Sequence, residues 1–472
     1  MYDFDEVIDR RGHNSAKWDR RFIGEGEKAL LPFWVADTDF RTLPQVNEAL
    51  EECVRHGIYG YTLPPEGCAA AAARWQRVRH GFEVKEEWVT FLAGIDCALA
   101  TAVQAFTQPG DAVLINTPIY TPFFEMAQLN GRRVVENPMK LVEGRYEFDF
   151  DDFAQKAREA KIFLFCNPQN PTARCLTQEE LEKIGAICAE NDLLILSDEI
   201  HADIVFDGRK HIPIASLSPE LARRTITCTS PSKTFSVAGL VASVIIIPDG
   251  DIRARFEAVK ERNSINTGIL GLVAMEAAYN SGDAYADQVR DYLQANRDFA
   301  VDYVQKHIPG ITPVVPEATF LLWLDCAGLG LPREELEEVV ADTFVALWSH
   351  AGTLEPERGT LRAWLGAVAA NKAKNRLRSY APTLPLDDAS PAPDAPERAV
   401  EERETGEALW RAVDGLDEPE RTLFFRYYYE GERLKTIAEA LGLNLSTAKT
   451  KLARGRKRLR EQLRETGGEE HA

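Results

Sequence analysis

Nothing in this 472-residue chain is long and apolar enough to read as a membrane span. The longest candidate, residues 243–247 ahead of Pro248, has the length of one buried strand, far short of the roughly 20 residues a spanning helix needs. The start, Met1-Tyr-Asp-Phe-Asp-Glu6, lacks the basic segment and the apolar core of a secretory signal, so none is expected. The eight cysteines, scattered from Cys53 to Cys326, include no Cys-x-x-Cys pair. That argues against a disulfide framework and for reduced thiols in a cytoplasm. Internal repeats are absent. Basic excess is absent too: the formal charge is −19. The imbalance is uneven, with 50 acidic and 34 basic residues in 1–336 against 24 and 21 in 337–472. The first part is therefore a poor candidate for broad nucleic-acid binding. The second contains a cluster, residues 449–464, with eight Lys/Arg against one Glu.

What is present is ordinary globular material, 45 % hydrophobic and 27 % charged, which excludes wholesale disorder and collagen-like repeats. At about 100–200 residues per domain, the length fits two to four domains. Two textures divide the chain. Up to about residue 330, β-branched apolar runs predict strands at 112–116, 162–166, 193–197, 225–229 and 243–247. Helical patterns lie between them, such as 178–191 with Leu181, Ile184 and Ile187 at helix spacing. Alternating strand and helix predicts an α/β fold, a mostly parallel sheet covered on both faces, with ligands beyond the carboxyl ends of its strands. From about residue 333 the strand signals stop. Helices are expected at 334–350 and 361–379. A linker follows, with five prolines in residues 381–396. Further helices are expected at 407–415, 418–429, 434–441 and 445–464. The second half reads as all-α.

Four short segments follow strand endings in the first half: Pro118-Ile-Tyr120-Thr-Pro, Asn167-Pro-Gln-Asn170-Pro-Thr-Ala173, Ser197-Asp198-Glu-Ile-His201 and Ser230-Pro-Ser-Lys233. Taken singly each has a bland reading: a turn, a helix cap, a solvated lysine. In this order, each at a strand end, they resemble pyridoxal-phosphate (PLP) enzymes of the aspartate-aminotransferase fold, fold-type I. Such a cofactor needs a lysine amine for a Schiff base and a carboxylate to keep its ring nitrogen protonated. The N-terminal motifs Arg11-Gly-His-Asn-Ser-Ala-Lys17-Trp18-Asp19, Leu31-Pro-Phe-Trp-Val-Ala36-Asp37 and Gly57-Ile-Tyr-Gly60-Tyr61-Thr62 sharpen the resemblance to the MalY/PatB-type C–S β-lyases, over residues 1 to about 331.

That resemblance implies a large domain with a mixed seven-stranded sheet and a small domain of which only the first part is present. It implies that Lys233 carries the cofactor and shuttles the α-proton, and that Asp198 pairs with the pyridine nitrogen. Asn170 would bond the ring oxygen with His201 close by, and Tyr120 would stack on the ring. The backbone amides of Ile95 and Asp96, with Ser230, would hold the phosphate at a helix start. Tyr61 would reach the phosphate of a neighbouring subunit in a homodimer. The implied reaction is α,β-elimination from cystathionine or another cysteine S-conjugate, giving a thiol, pyruvate and ammonia. An aminotransferase would use the same early steps. Two departures stand out. Ala173 occupies a turn position where Gly is usual. The closing segment with an arginine for the substrate carboxylate has no counterpart after Leu329-Gly-Leu331.

In the second half, residues 434–458 read as helix, tight turn, helix. Gly442 stops the first helix, and Leu445-Ser446-Thr447 opens the second with Ser446 as its cap. Such a second helix can lie in the major groove with its basic tail on phosphates. Ser446, Thr447, Lys449, Thr450, Lys451, Arg454, Arg456 and Lys457 are the candidate DNA contacts. With Leu416-Asp-Glu-Pro-Glu-Arg421 this resembles region 4 of extracytoplasmic-function sigma factors of the sigma-70 family. Residues 335–378 resemble part of region 2, with Trp364 as helix core or base wedge and Arg362, Lys372, Lys374, Arg376 and Arg378 as a phosphate-facing or solvated face. Promoter DNA and core RNA polymerase are the implied partners.

The expected organisation is a PLP domain at 1–332, region-2-like helices at 333–380, a Pro/Asp-rich linker at 381–404 and a helix-turn-helix at 405–466. The junction near residues 332–340 has no linker of its own. Three readings stay open: a lyase with a sigma-like tail, a sigma factor with a PLP-binding lobe, and a seam joining two genes.

Overall fold

The computed structural model describes residues 2–19, 31–330, 418–424, 437–438, 441–444, 447–448 and 451. The chain divides into two units, Met1–Ala381 and Pro382–Ala472. In the first, helices α1 (Pro44–His56) and α2 (Gly67–His80) lead into strand β1 (Val89–Leu92) and helix α3 (Ile95–Phe106). Then come β2 (Ala112–Thr117), α4 (Pro122–Leu129), β3 (Arg133–Pro138), the short hairpin β4 (Lys140–Val142) and β5 (Arg145–Glu147), and α5 (Phe150–Ala157). Next are β6 (Ala160–Cys166), α6 (Gln178–Glu190), β7 (Leu194–Asp198), α7 (Pro219–Arg223), β8 (Thr225–Thr229) and β9 (Ser243–Ile246). The long helices α8 (Gly250–Arg262), α9 (Ile269–Ser281) and α10 (Asp283–His307) precede a small pair, β10 (Thr312–Val314) and β11 (Trp323–Asp325).

Seven strands form one sheet in the order β1-β9-β8-β7-β6-β2-β3. Strands β3, β2, β6, β7 and β8 run parallel, and β9 is antiparallel to both β8 and β1. The sheet is thus mixed, and all five strands expected from the sequence are in it. The short run β1 and the edge strand β3 were not foreseen. Burial on both faces explains the near-continuous apolar runs. Val113, Ile115, Ile162, Leu164, Leu196, Ile226 and Ile245 pack against Leu99, Ala102 and Val103 of α3 and Phe256 of α8. Their sequence neighbours Leu114, Phe163, Phe165 and Ile195 point the other way, onto Phe153 of α5 and Leu181, Ile184 and Cys188 of α6.

Local chemistry starts the elements where the pattern predicts. Thr177 caps α6: its side chain accepts from Glu180 N at 3.2 Å while Glu180 Oε2 accepts from Thr177 N at 2.8 Å, a reciprocal capping box. All eight cysteines are free thiols. No helix among the described residues is long and apolar enough to cross a membrane.

In the second unit, Glu420–Phe424 is a helical turn (α11), and Leu423, Ile437, Ala438 and Ala448 are buried. Gly442 has φ +67°. Leu443 N bonds Ala438 O at 2.8 Å, the six-to-one closure of a helix stop, as expected. The cap of the following helix differs from expectation. Asn444 fills it, not Ser446: its Oδ1 accepts from Thr447 N at 2.8 Å and its carbonyl from Ala448 N at 3.0 Å. A carboxamide three residues before Thr447 reaches the orphan N–H that a hydroxyl at 446 would be too close in sequence to satisfy. Residues 331–417, with the region-2-like segment, the linker and Trp364, lie outside the described residues. So do Ser446, Lys449, Thr450, Arg454, Arg456 and Lys457.

Candidate active site

The parallel strands deliver their chemistry to one edge, as the crevice rule for open α/β sheets requires. Asp198 is the last residue of β7, Asn170 lies four beyond β6, Tyr120 three beyond β2 and Lys233 four beyond β8. Helix α3 begins at the same edge, directly after β1. Its N-cap is Gly94 at φ +100°, ψ 164°, a backbone state that excludes side chains. Ile95 and Asp96 are its first two residues, so their amides carry no intrahelical bond.

Lys233 is largely buried, and its Nζ donates to the carbonyl oxygen of Ala36 at 2.7 Å. Burial lowers its amine pKa, against the pull of Asp198, Asp37 and Asp96. Asp198 is 4 % exposed. Its carboxyl is pushed up to about 7 by burial, while the single bond from Ile200 N, at 3.1 Å, pulls the other way. His201 is 1 % exposed. Burial, then Lys233, lowers its imidazole to about 3, so it is neutral, and its Nδ1 has no partner. Its ring meets the edge of Phe320 at 5.8 Å. Burial, then Asp96 and Asp198, raise the Tyr120 phenol. Tyr120 N donates to Asn170 O at 3.2 Å, which joins the two loops. The expected residues Lys233, Asp198, His201, Tyr120, Asn170, Ile95 and Asp96 therefore share one crevice.

Two expected residues, Ser230 and Tyr61, lie outside this group, the second as its expected role toward a neighbouring subunit requires. The Ser230 hydroxyl is buried and engaged by the chain itself: it lies 2.7 Å from Ala242 O, just before β9, and 2.9 Å from Ser232 Oγ, and accepts from Ser232 N at 3.1 Å. Tyr61 is fully exposed, in a run with exposed Ile58, Tyr59 and Leu63, and is not part of this subunit's crevice.

Sequence reasoning missed the layer behind the crevice. Asp203 accepts from Trp75 Nε1 at 3.1 Å and Thr234 Oγ1 at 2.8 Å, and pairs with His80 Nε2 at 3.0 Å. Glu199 Oε2 pairs with His211 at 2.8 Å, and its Oε1 accepts from Ser197 Oγ at 2.9 Å. Three acids spaced 198, 199 and 203 after an apolar strand were the available signal. A second missed group is Glu317, on the segment before β11. It accepts from Arg145 Nε at 2.8 Å, Arg174 Nε at 3.2 Å and Cys175 N at 3.0 Å. Ala173, at φ +58°, accepts at its carbonyl from Glu317 N and Ala318 N, so this segment is fastened to the Asn170 turn. Among the described residues no cluster of His, Cys, Asp and Glu could hold a metal ion.

The residues present fit PLP. A buried amine of lowered pKa is suited to a carbonyl. A buried acid raised to about 7 with one backbone donor lacks the cation that a pyridinium N–H would supply. Free helix-start amides behind a glycine suit a phosphate. The unpartnered His201 Nδ1 is open to one more polar atom.

Comparisons with known proteins agree. Residues 34–364 match the family described as aminotransferase class I and II, and residues 406–459 match sigma-70, region 4. Cystathionine beta-lyase PatB of Bacillus subtilis (strain 168) is 42 % identical over 338 residues, 71 % of this chain and 87 % of that protein. Protein MalY of Escherichia coli (strain K12) is 30 % identical over 347 residues, 72 % of this chain and 88 % of its own length. Cystalysin from Treponema denticola, solved with a pyridoxal 5'-phosphate cofactor, superposes with a TM-score of 0.69 at 30 % identity, covering 80 % of this chain and 98 % of cystalysin. The PLP-bound C–S lyase from Staphylococcus hominis gives 0.65 at 34 % identity, covering 71 % of this chain and 85 % of that lyase. The likeness thus rests on sequence, sheet topology and the strand-end crevice together, and the chain belongs to the aminotransferase class I and II family, among relatives that are C–S lyases, and carries a sigma-70 region 4 near its C-terminus.

Proposed function

We propose that the first unit binds PLP through Lys233 and catalyses α,β-elimination on cysteine S-conjugates such as cystathionine. The observation that carries this is a largely enclosed Lys233 amine of lowered pKa near a buried, under-partnered Asp198, at the ends of adjacent strands. When bound, the cofactor supplies an electron sink for the charge left at the substrate α-carbon. The other functions fall to the chain. Asp198, charged once a pyridinium faces it, keeps that ring nitrogen protonated. Neutral His201 gives the ring substituents a hydrogen-bonding edge without adding charge. The Ile95 and Asp96 amides at the start of α3 would hold the phosphate, and the backbone link from Tyr120 to Asn170 fixes the loop from which the phenol would meet the ring. Lys233, freed by substrate, takes the α-proton at Nζ; the β-carbon–sulfur bond breaks with its electron pair leaving on sulfur; the thiolate gains a proton. The three-carbon enamine released hydrolyses to pyruvate and ammonia. Tyr61, with Ile58, Tyr59 and Leu63, supplies an exposed strip for a homodimer in which it meets the partner's phosphate site. Eight free thiols with no disulfide framework support a cytoplasmic setting for this chemistry.

The test is direct. The full chain loaded with PLP and given L-cystathionine should release pyruvate, ammonia and homocysteine in equal amounts, and Lys233→Ala should lose at least about a thousandfold in rate. A loaded protein that makes a keto acid only when a second keto acid is supplied would instead be an aminotransferase.

The second unit's region 4 match supports a second activity: duplex promoter binding by residues 405–466 and contact with core RNA polymerase, with Thr447 and Lys451 among the groove-facing residues. The full chain should bind a duplex with an affinity that falls steeply between 50 and 200 mM salt, by roughly tenfold or more for every few phosphates contacted. Salt-independent binding would refute this. Mass spectrometry of cell extract after cleavage before Asp should show the peptide from Asp325 to Ala341. Its absence beside abundant flanking peptides would mean two separate proteins.

A further inference from the structure

The N-terminal motif around Arg10, Lys17 and Trp18 has no part in the chemistry above, yet it ends on the residues beside Lys233. Residues 35–39 have no regular secondary structure, so the Ala36 carbonyl that accepts from Lys233 Nζ needs an outside brace. Six side-chain bonds provide one. Arg10 Nη2 donates to Asp37 Oδ2 at 2.8 Å, and its Nη1 to Asp39 Oδ1 at 2.8 Å and Thr38 O at 3.1 Å. Lys17, 8 % exposed, donates from Nζ to Asp39 Oδ2 at 2.6 Å and to Asp37 O at 2.8 Å. Trp18 Nε1 adds a bond to Asp39 Oδ1 at 2.9 Å. From the other side, the Thr38 hydroxyl pairs with that of Ser236, three residues past Lys233, and Tyr285 OH donates to Arg41 O at 2.8 Å. The loop is tied both to the N-terminal arm and to the lysine's own turn.

We infer that Arg10, Lys17 and Trp18 are positioning residues for Lys233: acting through Asp37 and Asp39, they hold the Ala36 carbonyl beside the lysine nitrogen, as the acceptor that orients it when it is a free amine and as a dipole that favours its protonated form in either state. The inference rests on the lyase reading of Lys233 and deepens it. A primary amine on four rotatable bonds has many directions open to it. One fixed acceptor removes most of them and leaves the nitrogen lone pair facing away from Ala36. The same oxygen is the negative end of a carbonyl dipole, so it favours the protonated form of the nitrogen beside it. Of the other groups that face this nitrogen, Asp198 of β7, Asp96 of α3 and neutral His201 stay in place when the brace is cut, while Asp37 loosens with the loop, and its retreat lowers the lysine pKa in the same direction as the loss of the Ala36 acceptor.

The experiment uses the full chain loaded with PLP, as wild type, Lys17→Met and Arg10→Gln. Two readouts are followed: the pH midpoint of the cofactor's visible band, and kcat and KM for cystathionine. With the acceptor loosened, the midpoint should drop by about half to one pH unit, the equivalent of one ordinary hydrogen bond. The kcat should fall roughly five- to tenfold with KM changed by less than about twofold, and Arg10→Lys should recover part of both. If the variants only melt earlier, with midpoint and kcat unchanged, the arm is merely docked and the inference falls. Loss of cofactor from both variants with native circular dichroism also sinks it, because a positioning role leaves the phosphate and Asp198 contacts intact. If Lys17→Met alone fails to fold, Arg10→Gln decides. Failure of the lyase reading looks different: a wild type that shows the band but yields no pyruvate leaves the midpoint comparison fully readable.

Discussion

Asp198 and Asp203 lie five residues apart, both shut away from solvent, and end with opposite acidities. Burial pushes both carboxyls up. At Asp203 the bond to His80, the neighbouring Arg79 and the Thr234 hydroxyl outweigh it and hold the acid below the usual carboxylate range. At Asp198 one backbone amide and the field of Lys233 oppose it, Asp96 and Glu199 reinforce it, and the acid rises to about 7. Partner supply, not depth, decides the outcome. The satisfied acid braces the fold between α2 and the turn of Lys233; the unsatisfied one waits for a cation from outside the chain.

The comparison can be broken by pH. In cofactor-free protein the folded Asp198 titrates near 7 and the unfolded one near 4. Below pH 4 both states are protonated and nothing is lost. As pH climbs through this window the unfolded acid ionises while the folded one resists, so stability falls by up to roughly 4 kcal/mol and levels off above pH 7. Denaturant titration at pH 4 to 8 should show this slope in the cofactor-free protein and not in the loaded one. Asp198→Asn should erase it, leaving a cofactor-free protein more stable than wild type at pH 8 and a loaded one slower by about a hundredfold.

Asp203→Asn should go the other way. It removes a charge that His80, Trp75 and Thr234 all address, and should destabilise the protein by about 2–3 kcal/mol at every pH above 5, read as a lower denaturation midpoint. Equal effects at 198 and 203 would void the distinction. The smallest effect concerns Ala173, held at φ +58°. Ala173→Gly should relieve left-handed strain and raise stability by under about 1 kcal/mol, with cofactor binding unchanged.

Much of this was legible in the chain because local pattern and global fold coincide. Strands β2, β6, β7, β8 and β9 announce themselves as apolar runs buried on both faces. Strand β1 is only four residues, and β3 interleaves Arg133, Glu136 and Asn137 at a sheet edge, so neither carries that signature. Asp198 and Lys233 were readable because each closes or follows a strand. The partners of Asp203 were not: His80 and Trp75 come from more than 120 residues away, and no spacing rule links them. The Asn444 cap was missed for a different reason. Ser446 and Asn444 are both good capping residues, and only the backbone path selects between them.

Glu317 carries a consequence for how this protein is made. The groups it satisfies, Cys175 N, Arg174 and Arg145, precede it by 142, 143 and 172 residues. At roughly 5–20 residues per second, a ribosome that has finished the Asn170 turn needs on the order of ten to thirty seconds more before this carboxylate exists. During that interval the sheet can assemble, while Arg174, 1 % exposed in the finished protein, keeps Glu180 as a partner but lacks its second acid. The Asn170 turn is therefore fastened late, after the parallel strands that flank it have all been synthesised.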